Sequence, residues 1–406
     1  MDEDRAKNVP LRLLIVSSHV IQYGSVRYRE MARDPKLDLE VAFCSLQGVE
    51  PGLDPESGIA EIWDVPLLDG YAWTQVPNRV MPSGLGRFFK LVNTRLWKQI
   101  RKGRYDAVAI DTGYRCATFW IALAAAKLSG TPLLFATDVT VLNSDVRSPW
   151  KVWIKRRLWP ALFRSVDGIL AGSSGTLELA RSLGVPNERI TVTPNVVDNE
   201  WWRAQSLKVD RAAVRTSWEI PLDVPVALFC AKLVPRKRPM DVLQALAKPW
   251  LSELFLVFAG DGPLREELQR QAGLLGVAKR VRILGFVNQT ALPAVYVASD
   301  VLVLPSDYDA FGLVVNEAML CGCTVVISDG VGAKYDLVRE GETGYIYPCG
   351  DVPALAGTLR RVFEDKKKLQ SMREAARRRI ETWSPKEYAE SVLRAVETQS
   401  IRRRKV

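Results

Sequence analysis

The chain has 406 residues, 48% of them apolar and 25% charged, with a formal net charge of +10. No apolar run approaches the ~20 residues needed to span a bilayer. One histidine, His19, and six cysteines without a C-x-x-C pair leave no His-based metal cluster, and no metal is expected. The N-terminal MDEDRAKNVP lacks the apolar core of a secretory signal. The expectation is a cytoplasmic chain, or one peripheral on the inner face of the cell membrane. The cysteines (44, 116, 230, 321, 323, 349) read as reduced thiols in or beside apolar segments.

In chain order, the first apolar β-rich runs are LRLLIVS (11–17), LEVAFCS (39–45), AVAID (107–111), PLLFAT (132–137), GILAG (168–172) and ITVTP (190–194). A second series is PVALFCA (225–231), LFLVFAG (254–260), VRILG (281–285), VLVLP (301–305) and CTVVIS (323–328). Short, nearly continuous apolar strands alternating with helices indicate parallel sheets covered on both faces. Two series predict two doubly wound α/β domains, 1–199 and 200–385, with the stretch 386–406 packing back on the first. Ligands of open α/β sheets bind beyond the carboxyl ends of the strands, so the chemistry is expected in a cleft between the domains.

Charge is unevenly spread. RFFKLVNTRLWKQIRKGR (87–104) holds seven basic residues and no acidic one, and WKVWIKRRLWPALFR (150–164) five basic residues and three tryptophans. As helices, these align Phe88, Val92, Leu96 and Ile100, then Trp150, Ile154 and Leu158 before Pro160 bends or ends the second. Basic helices bearing Trp and Phe suit an anionic membrane surface. The competing reading is that the apolar stripes pack on the sheet while the cations are solvated. No nucleic-acid-binding module is visible.

Four segments of the second half fall at carboxyl ends of predicted strands. KLVPRKRP (232–239) begins with Lys232 and carries Lys237, flanked by Arg236 and Arg238; two cations on one loop can clamp a diphosphate. AGDGP (259–263) offers Gly262 for close backbone approach and Pro263 for a first helical position. Phe286 follows 281–285, where an aromatic lines a base pocket or simply packs. In PSDYDAFGLVVNEAMLCGCTVVIS (305–328), a turn around Gly312 precedes a helix expected to start nearby and to aim its positive end at an anion. Glu317 lies in an otherwise apolar helix, so it needs a partner, such as a ribose diol, or a solvent-facing position.

This ordered set, with PNVVD (194–198) and GETGYIYPCGD (341–351), resembles the retaining glycosyltransferases of family 4, which have the GT-B fold of two Rossmann-like domains facing an inter-domain cleft. The N-terminal stretch beginning SSHVIQYG (17–24) is similar to a bacterial subgroup with an S-H-x-I-Q-Y run. The resemblance implies a nucleotide diphosphate sugar donor, UDP- or GDP-linked, with no metal and no other cofactor. The acceptor is expected to be a hydroxyl, and the basic aromatic segments point toward that of a lipid-linked or cell-envelope glycan. By motif, Lys232 and Lys237 contact the diphosphate, Phe311, Gly312 and Leu313 form the turn beneath it, Asp309 meets the donor sugar and Glu317 the ribose. Gly24, in the loop after the first strand, approaches the phosphate or acceptor. His19, just past that strand in the same cleft, is read as catalytic by its place in the S-H-x-I-Q-Y run or as structural, as a lone histidine more often is.

Three departures stand out. Asp309 replaces the usual Glu and Ala310 a common Gly, drawing the carboxylate back by one methylene; a shift of about 1 Å can cost roughly a hundredfold in rate. Lys232 replaces an Arg and loses its bidentate fork. Where the family has a His in the first domain, this chain reads FATDVTVLN (135–143), leaving Asp138 for the acceptor side. Two alternatives stay open: a small-molecule (natural product) glycosyltransferase, or, on the Asp309 and Lys232 departures, a catalytically degenerate nucleotide-sugar binding protein.

Overall fold

The computed structural model describes residues 9–50, 63–80, 88–142 and 149–404. They form two compact units: one contains the described residues within 1–51, 66–195 and 385–406, the other those within 52–65 and 196–384. The division of the main halves falls at Asn195 and Val196.

Among the described residues the first unit is built on seven strands: β1 (Leu11–Ser17), β2 (Leu37–Phe43), β3 (Ala72–Gln75), β4 (Ala107–Ile110), β5 (Leu133–Thr137), β6 (Gly168–Ala171) and β7 (Ile190–Val192). Their order is β3-β2-β1-β4-β5-β6-β7, and every pairing is parallel. The β1 and β4 strands are buried along nearly their whole length, as expected of a sheet covered on both faces. The β3 strand, Ala-Trp-Thr-Gln, was not foreseen: it is a four-residue edge strand with every residue exposed, and so carries no apolar signal. The last helix, Pro385–Arg404, packs on β1, β4, β6, β7 and the helix Gln22–Ala32.

The second unit is built on β8 (Val226–Cys230), β9 (Phe255–Ala259), β10 (Val281–Gly285), β11 (Val301–Leu304), β12 (Thr324–Ser328) and β13 (Gly344–Tyr347). Their order is β10-β9-β8-β11-β12-β13, again all parallel. In both sheets the strand order reverses beside the first strand, between β1 and β4 and between β8 and β11. Such reversals open crevices at the carboxyl ends, where ligands of doubly wound sheets bind.

Helices around these sheets begin on side-chain caps. Asp198, Asp210, Asp351 and Asp365 each accept from a backbone N–H of the turn they open, a contact worth about 1 kcal/mol. At the amino edge of the second sheet, Asp300 accepts from Arg211 at 2.6 Å, Arg215 at 2.9 Å and the Val226 N–H at 2.9 Å. Arg215, only 1% exposed, also donates to the carbonyls of Leu222, Val224 and Ala298. This clip fixes the helix Arg211–Ser217 to the sheet.

The two basic segments fold less regularly than their spacing predicts. The helix in the first is only Arg95–Lys102, and Phe88 lies in a separate 3-10 turn, Phe88–Lys90. Leu96 and Ile100 are buried in the core, so that part of the stripe packs inward. The second helix, Pro149–Ser165, continues through Pro160. Residues 81–87 and 143–148 lie outside the described residues, Arg87 among them, as does the side chain of Trp150.

Among the described residues no helix is long and apolar enough to cross a membrane. The six cysteines are free thiols, all buried except the half-buried Cys349. Burial pushes the Cys230 thiol up to about 12 and that of Cys349 up to about 11, so neither is a thiolate near neutral pH.

Candidate functional site

The carboxyl edge of the second sheet is assembled by backbone contacts between successive loops. After β8, the Leu233 N–H donates to the Asp261 carbonyl at 2.9 Å, and the Leu264 N–H to the Leu233 carbonyl at 3.1 Å. This zips the Lys232 loop to the loop after β9. A Cβ on Gly260 would stand 1.9 Å from the Ala231 carbonyl oxygen, so this approach requires glycine. Gly262 lies similarly close to Leu233. Both glycines therefore shape the loop that presents Lys232.

After β11 a second backbone zipper forms. The Asp309 N–H donates to the Gly330 carbonyl at 3.0 Å, Gly332 N–H to Asp309 at 2.9 Å and Ala333 N–H to Phe311 at 2.8 Å. A Cβ on Gly332 would fall 1.9 Å from the Ala310 carbonyl oxygen. Sequence reasoning missed Gly330 and Gly332; the signal was the Asp-Gly-Val-Gly run directly after β12. Gly312 takes φ +89°, with Leu304 and Val331 crowding the position a Cβ would occupy. The following helix is Val314–Leu320, two residues later than Gly312. Phe311 is buried with its ring stacked on Trp383 (6.4 Å, 5° between planes), while Leu313 is half-buried. The turn is thus held from below by aromatic packing.

Across this edge Lys237 forms an ion pair with Asp309. Lys237 ends the short 3-10 turn Pro235–Lys237, and Asp309 lies on the loop after β11, so the pair spans the β8/β11 reversal. Arg238 is engaged elsewhere: it donates to Asp241 at 2.7 Å and to Asp307 at 2.9 Å. Of the basic cluster, Arg238 therefore links Asp241 to Asp307, and Lys237 pairs with Asp309 two residues further along the loop after β11.

Glu317 is 2% exposed and accepts from the Tyr296 hydroxyl at 2.7 Å. The partner its burial demanded is thus at least partly supplied by the protein. Tyr296, on the helix Leu292–Ala298, is itself fully buried, and its hydroxyl lies 3.3 Å from Cys230 Sγ. Burial, then the neighbouring Cys230 and Glu317, push the phenol well above its ordinary range, so it stays protonated and donates. Nothing in the sequence marks Tyr296, which is one aromatic in an apolar helix.

Phe286, 37% exposed, follows β10 and faces the Trp63 ring edge-on at 6.4 Å.

In the first unit, the β1/β4 reversal is organised by Asp111, which sequence reasoning left as the end of a strand. Its carboxylate accepts from Ser17 Oγ at 2.9 Å, the Ser18 N–H at 3.0 Å and the Tyr28 hydroxyl at 3.3 Å. His19 Nδ1 lies 2.9 Å from Ser18 Oγ. Burial lowers the imidazole's pKa, with Asp111 opposing it. Behind Asp111 lies a cavity of ≈ 20 Å³, lined among others by Arg27, Tyr28 and Tyr388. Gly24, expected in the loop after β1, instead sits within the helix Gln22–Ala32, buried against Tyr28. Asp138 is exposed just after β5, beside Gly172. His19, Asp111 and Asp138 thus stand at carboxyl ends of β1, β4 and β5 in one unit, and Lys232, Lys237, Asp309 and Phe286 at those of the other.

Among the described residues, no three His, Cys, Asp or Glu side chains are grouped as metal ligands.

Residues 210–379 match the family described as "Glycosyl transferases group 1", and residues 30–196 the "Glycosyl transferase 4-like domain". Similar curated proteins include the alpha-D-kanosaminyltransferase of Streptomyces kanamyceticus, 25% identical over 74% of this chain and 82% of that protein. The lipopolysaccharide core biosynthesis glycosyltransferase LpsE of Rhizobium meliloti is 30% identical over 50% of this chain and 56% of its own. The D-inositol 3-phosphate glycosyltransferase of Streptomyces scabiei is 29% identical over 65% and 61%. The chain therefore spans little more than half the length of the latter two. Among solved structures, Anabaena HepE in complex with UDP and glucose superposes with a TM-score of 0.71 at 18% identity, covering 96% of this chain and 100% of that one. The lipopolysaccharide outer core galactosyltransferase WaaB, in its apo form, gives 0.69 at 19% identity over 96% and 100%. With two parallel Rossmann-like sheets of seven and six strands, this likeness establishes the GT-B fold.

Proposed function

Because the chain belongs to the glycosyltransferases, a 4-like domain followed by a group 1 domain, we propose that it moves a sugar from a nucleoside diphosphate sugar to an acceptor hydroxyl with retention of anomeric configuration. UDP is the favoured nucleotide. The observation that carries this reading is the meeting of Lys237 and Asp309 across the β8/β11 reversal. A cation held there by a carboxylate is preorganised for the diphosphate, and the carboxylate for a sugar hydroxyl.

In the proposed reaction, Lys232 and Lys237 bind the diphosphate and Asp309 orients the donor sugar. Glu317, held by Tyr296, takes the ribose. The acceptor oxygen attacks the anomeric carbon from the leaving-group face. The bond from that carbon to the β-phosphate oxygen breaks, and the acceptor proton passes to the departing diphosphate. Charge builds on that diphosphate, and the two lysines stabilise it in a site where no reorganisation is needed. This reading requires no metal; transfer persisting in excess EDTA is its check. His19 and Asp138 are assigned to the acceptor side.

The acceptor class proposed is a lipid-linked or cell-envelope glycan. Support comes from the exposed aromatics of the first unit, including Phe89 (74%) and Trp153 (62%). Arg101 lies over the Trp97 ring and Arg157 over Trp153. Rings beside cations suit a headgroup region, where each surface cation contributes about 1 kcal/mol. Co-sedimentation with anionic phosphatidylglycerol vesicles at low salt tests this; protein left wholly in the supernatant rejects it. The kanosaminyltransferase relative favours a second reading, a small-molecule acceptor.

The direct experiment is release of free nucleotide from UDP- and GDP-sugars with a panel of lipid-linked and small-molecule acceptors, followed by NMR of the product anomer. Folded protein that releases no nucleotide across the panel overturns transfer. An inverted product overturns retention.

A further inference from the structure

The described part of the segment 52–65 belongs by its contacts to the second unit, although the chain on both sides of it belongs to the first. Its described residues dock on the loop after β10. Thr290 donates its N–H to Asp64 Oδ1 at 3.2 Å, and its hydroxyl to Asp64 Oδ2. The Asp64 N–H reaches Asn288 Oδ1 at 3.4 Å. Beside this tether, the half-buried Trp63 meets Phe286 edge-to-face, 6.4 Å between centroids and 62° between planes.

The position of this pair carries the inference. Phe286 stands at the carboxyl end of β10, two strands from β8, whose loop carries Lys232. Two strand spacings are about 10 Å, a span that a ribose bridges between a diphosphate and its base. The loop between the aromatic pair and the helix Leu292–Ala298 is the one Asp64 holds, and that helix carries Tyr296, the partner of Glu317. Base wall, tether and the support of the inferred ribose carboxylate are thus joined in one short stretch.

We infer that Trp63, a residue of the N-terminal half of the sequence, is a donor-recognition residue: with Phe286 it forms an aromatic wall for the nucleobase, and Asp64 fixes that wall in place. The inference rests on the proposed nucleoside diphosphate donor. Stacking against aromatics is available to every base because each has a π-face. The wall therefore strengthens nucleotide binding without choosing the base by hydrogen bonds.

The test is calorimetry on the full chain with UDP, GDP and inorganic pyrophosphate. Trp63→Ala is expected to weaken the nucleoside diphosphate that the wild-type chain binds by about tenfold or more, and to leave pyrophosphate unchanged. Phe286→Ala removes a partly exposed ring, guards against misfolding of the first variant, and is expected to show the same selective loss. Unchanged nucleotide affinity in Trp63→Ala overturns the inference, and so does an equal loss for nucleotide and pyrophosphate, which is the signature of a merely structural role. A wild-type chain that binds pyrophosphate but neither UDP nor GDP overturns the proposed donor itself. That result is distinct from a wild-type chain that binds nucleotide and a variant that binds it equally well.

Discussion

The two sheets share a strand order but present different chemistry at the point where it reverses. In the first unit, the hydrogen bonds to Asp111 come from neutral donors, a serine hydroxyl, a backbone N–H and a phenol, with Arg27 acting on it through space. In the second, Asp309 faces a lysine, and further cations lie on the same loop. A carboxylate satisfied by neutral donors holds a loop in shape. A carboxylate paired with a cation leaves a charge that an incoming anion can share. The same architecture thus gives one edge built for geometry and another built for charge.

Breaking the second unit from its far side should have the largest effect. Asp300→Ala strands the buried Arg215 and its neighbour Arg211, and leaving buried charge uncompensated costs about 3–5 kcal/mol. Urea unfolding should show that loss, whereas Asp300→Asn should lose less by keeping hydrogen-bond acceptance. An unchanged midpoint in Asp300→Ala would mean the arginines find other acceptors.

At the charged edge, Lys237→Ala should lower the rate of nucleotide release at saturating donor by about 10²–10³-fold, the scale of losing one preorganised electrostatic donor. The unfolding midpoint should be lowered by less than in Asp300→Ala, because the stranded Asp309 keeps some exposure to water. A loss under threefold would show that the ion pair is only structural. At the neutral edge the expectation reverses. Asp111→Asn should cost about 1–3 kcal/mol of stability, since hydrogen bonds to a charged group are weakened, while the affinity for nucleoside diphosphate stays the same. If nucleotide affinity fell with it, the contrast between the two edges would fail.

The smallest effect should come from His19. Its folded pKa is depressed by burial, so the unfolded chain binds the proton more readily. Stability from this group is fully present above the unfolded pKa of about 6.5 and is lost as pH falls through the folded value. Because His19 is the chain's only histidine, His19→Gln should flatten the stability-versus-pH curve in this window. An unaltered slope would assign the pH dependence to carboxylates.

What the sequence disclosed differs along the same line. Strands such as Val301–Leu304 and Thr324–Ser328 are uniformly buried because both faces are covered, so most of the strands and their parallel arrangement could be read directly, whereas β3 and the four-residue β13 could not. Gly312 announced its turn because no other residue takes φ +89° comfortably. The β3 strand stayed hidden because an exposed edge strand needs no apolar pattern, and Gly24 looked like loop because a helical glycine packed against Tyr28 has the same letter. Tyr296, Asp111 and Trp63 were invisible for a different reason. Each matters through a partner on another element, 21 residues away for Tyr296 and Glu317 and 224 for Asp64 and Asn288, and local spacing does not encode such meetings.

The C-terminal helix has a consequence for biosynthesis. Pro385–Arg404 supplies Tyr388, Val392 and Val396 to the core of the first unit, and the second unit borrows the described residues of 52–65 from within the first half. Proteins emerge from the ribosome amino end first, at about 5–20 residues per second. The unit made first is therefore the one completed last. While the second half is being synthesised, the first sheet waits with part of its apolar face uncovered, and that interval is when a chaperone would find it.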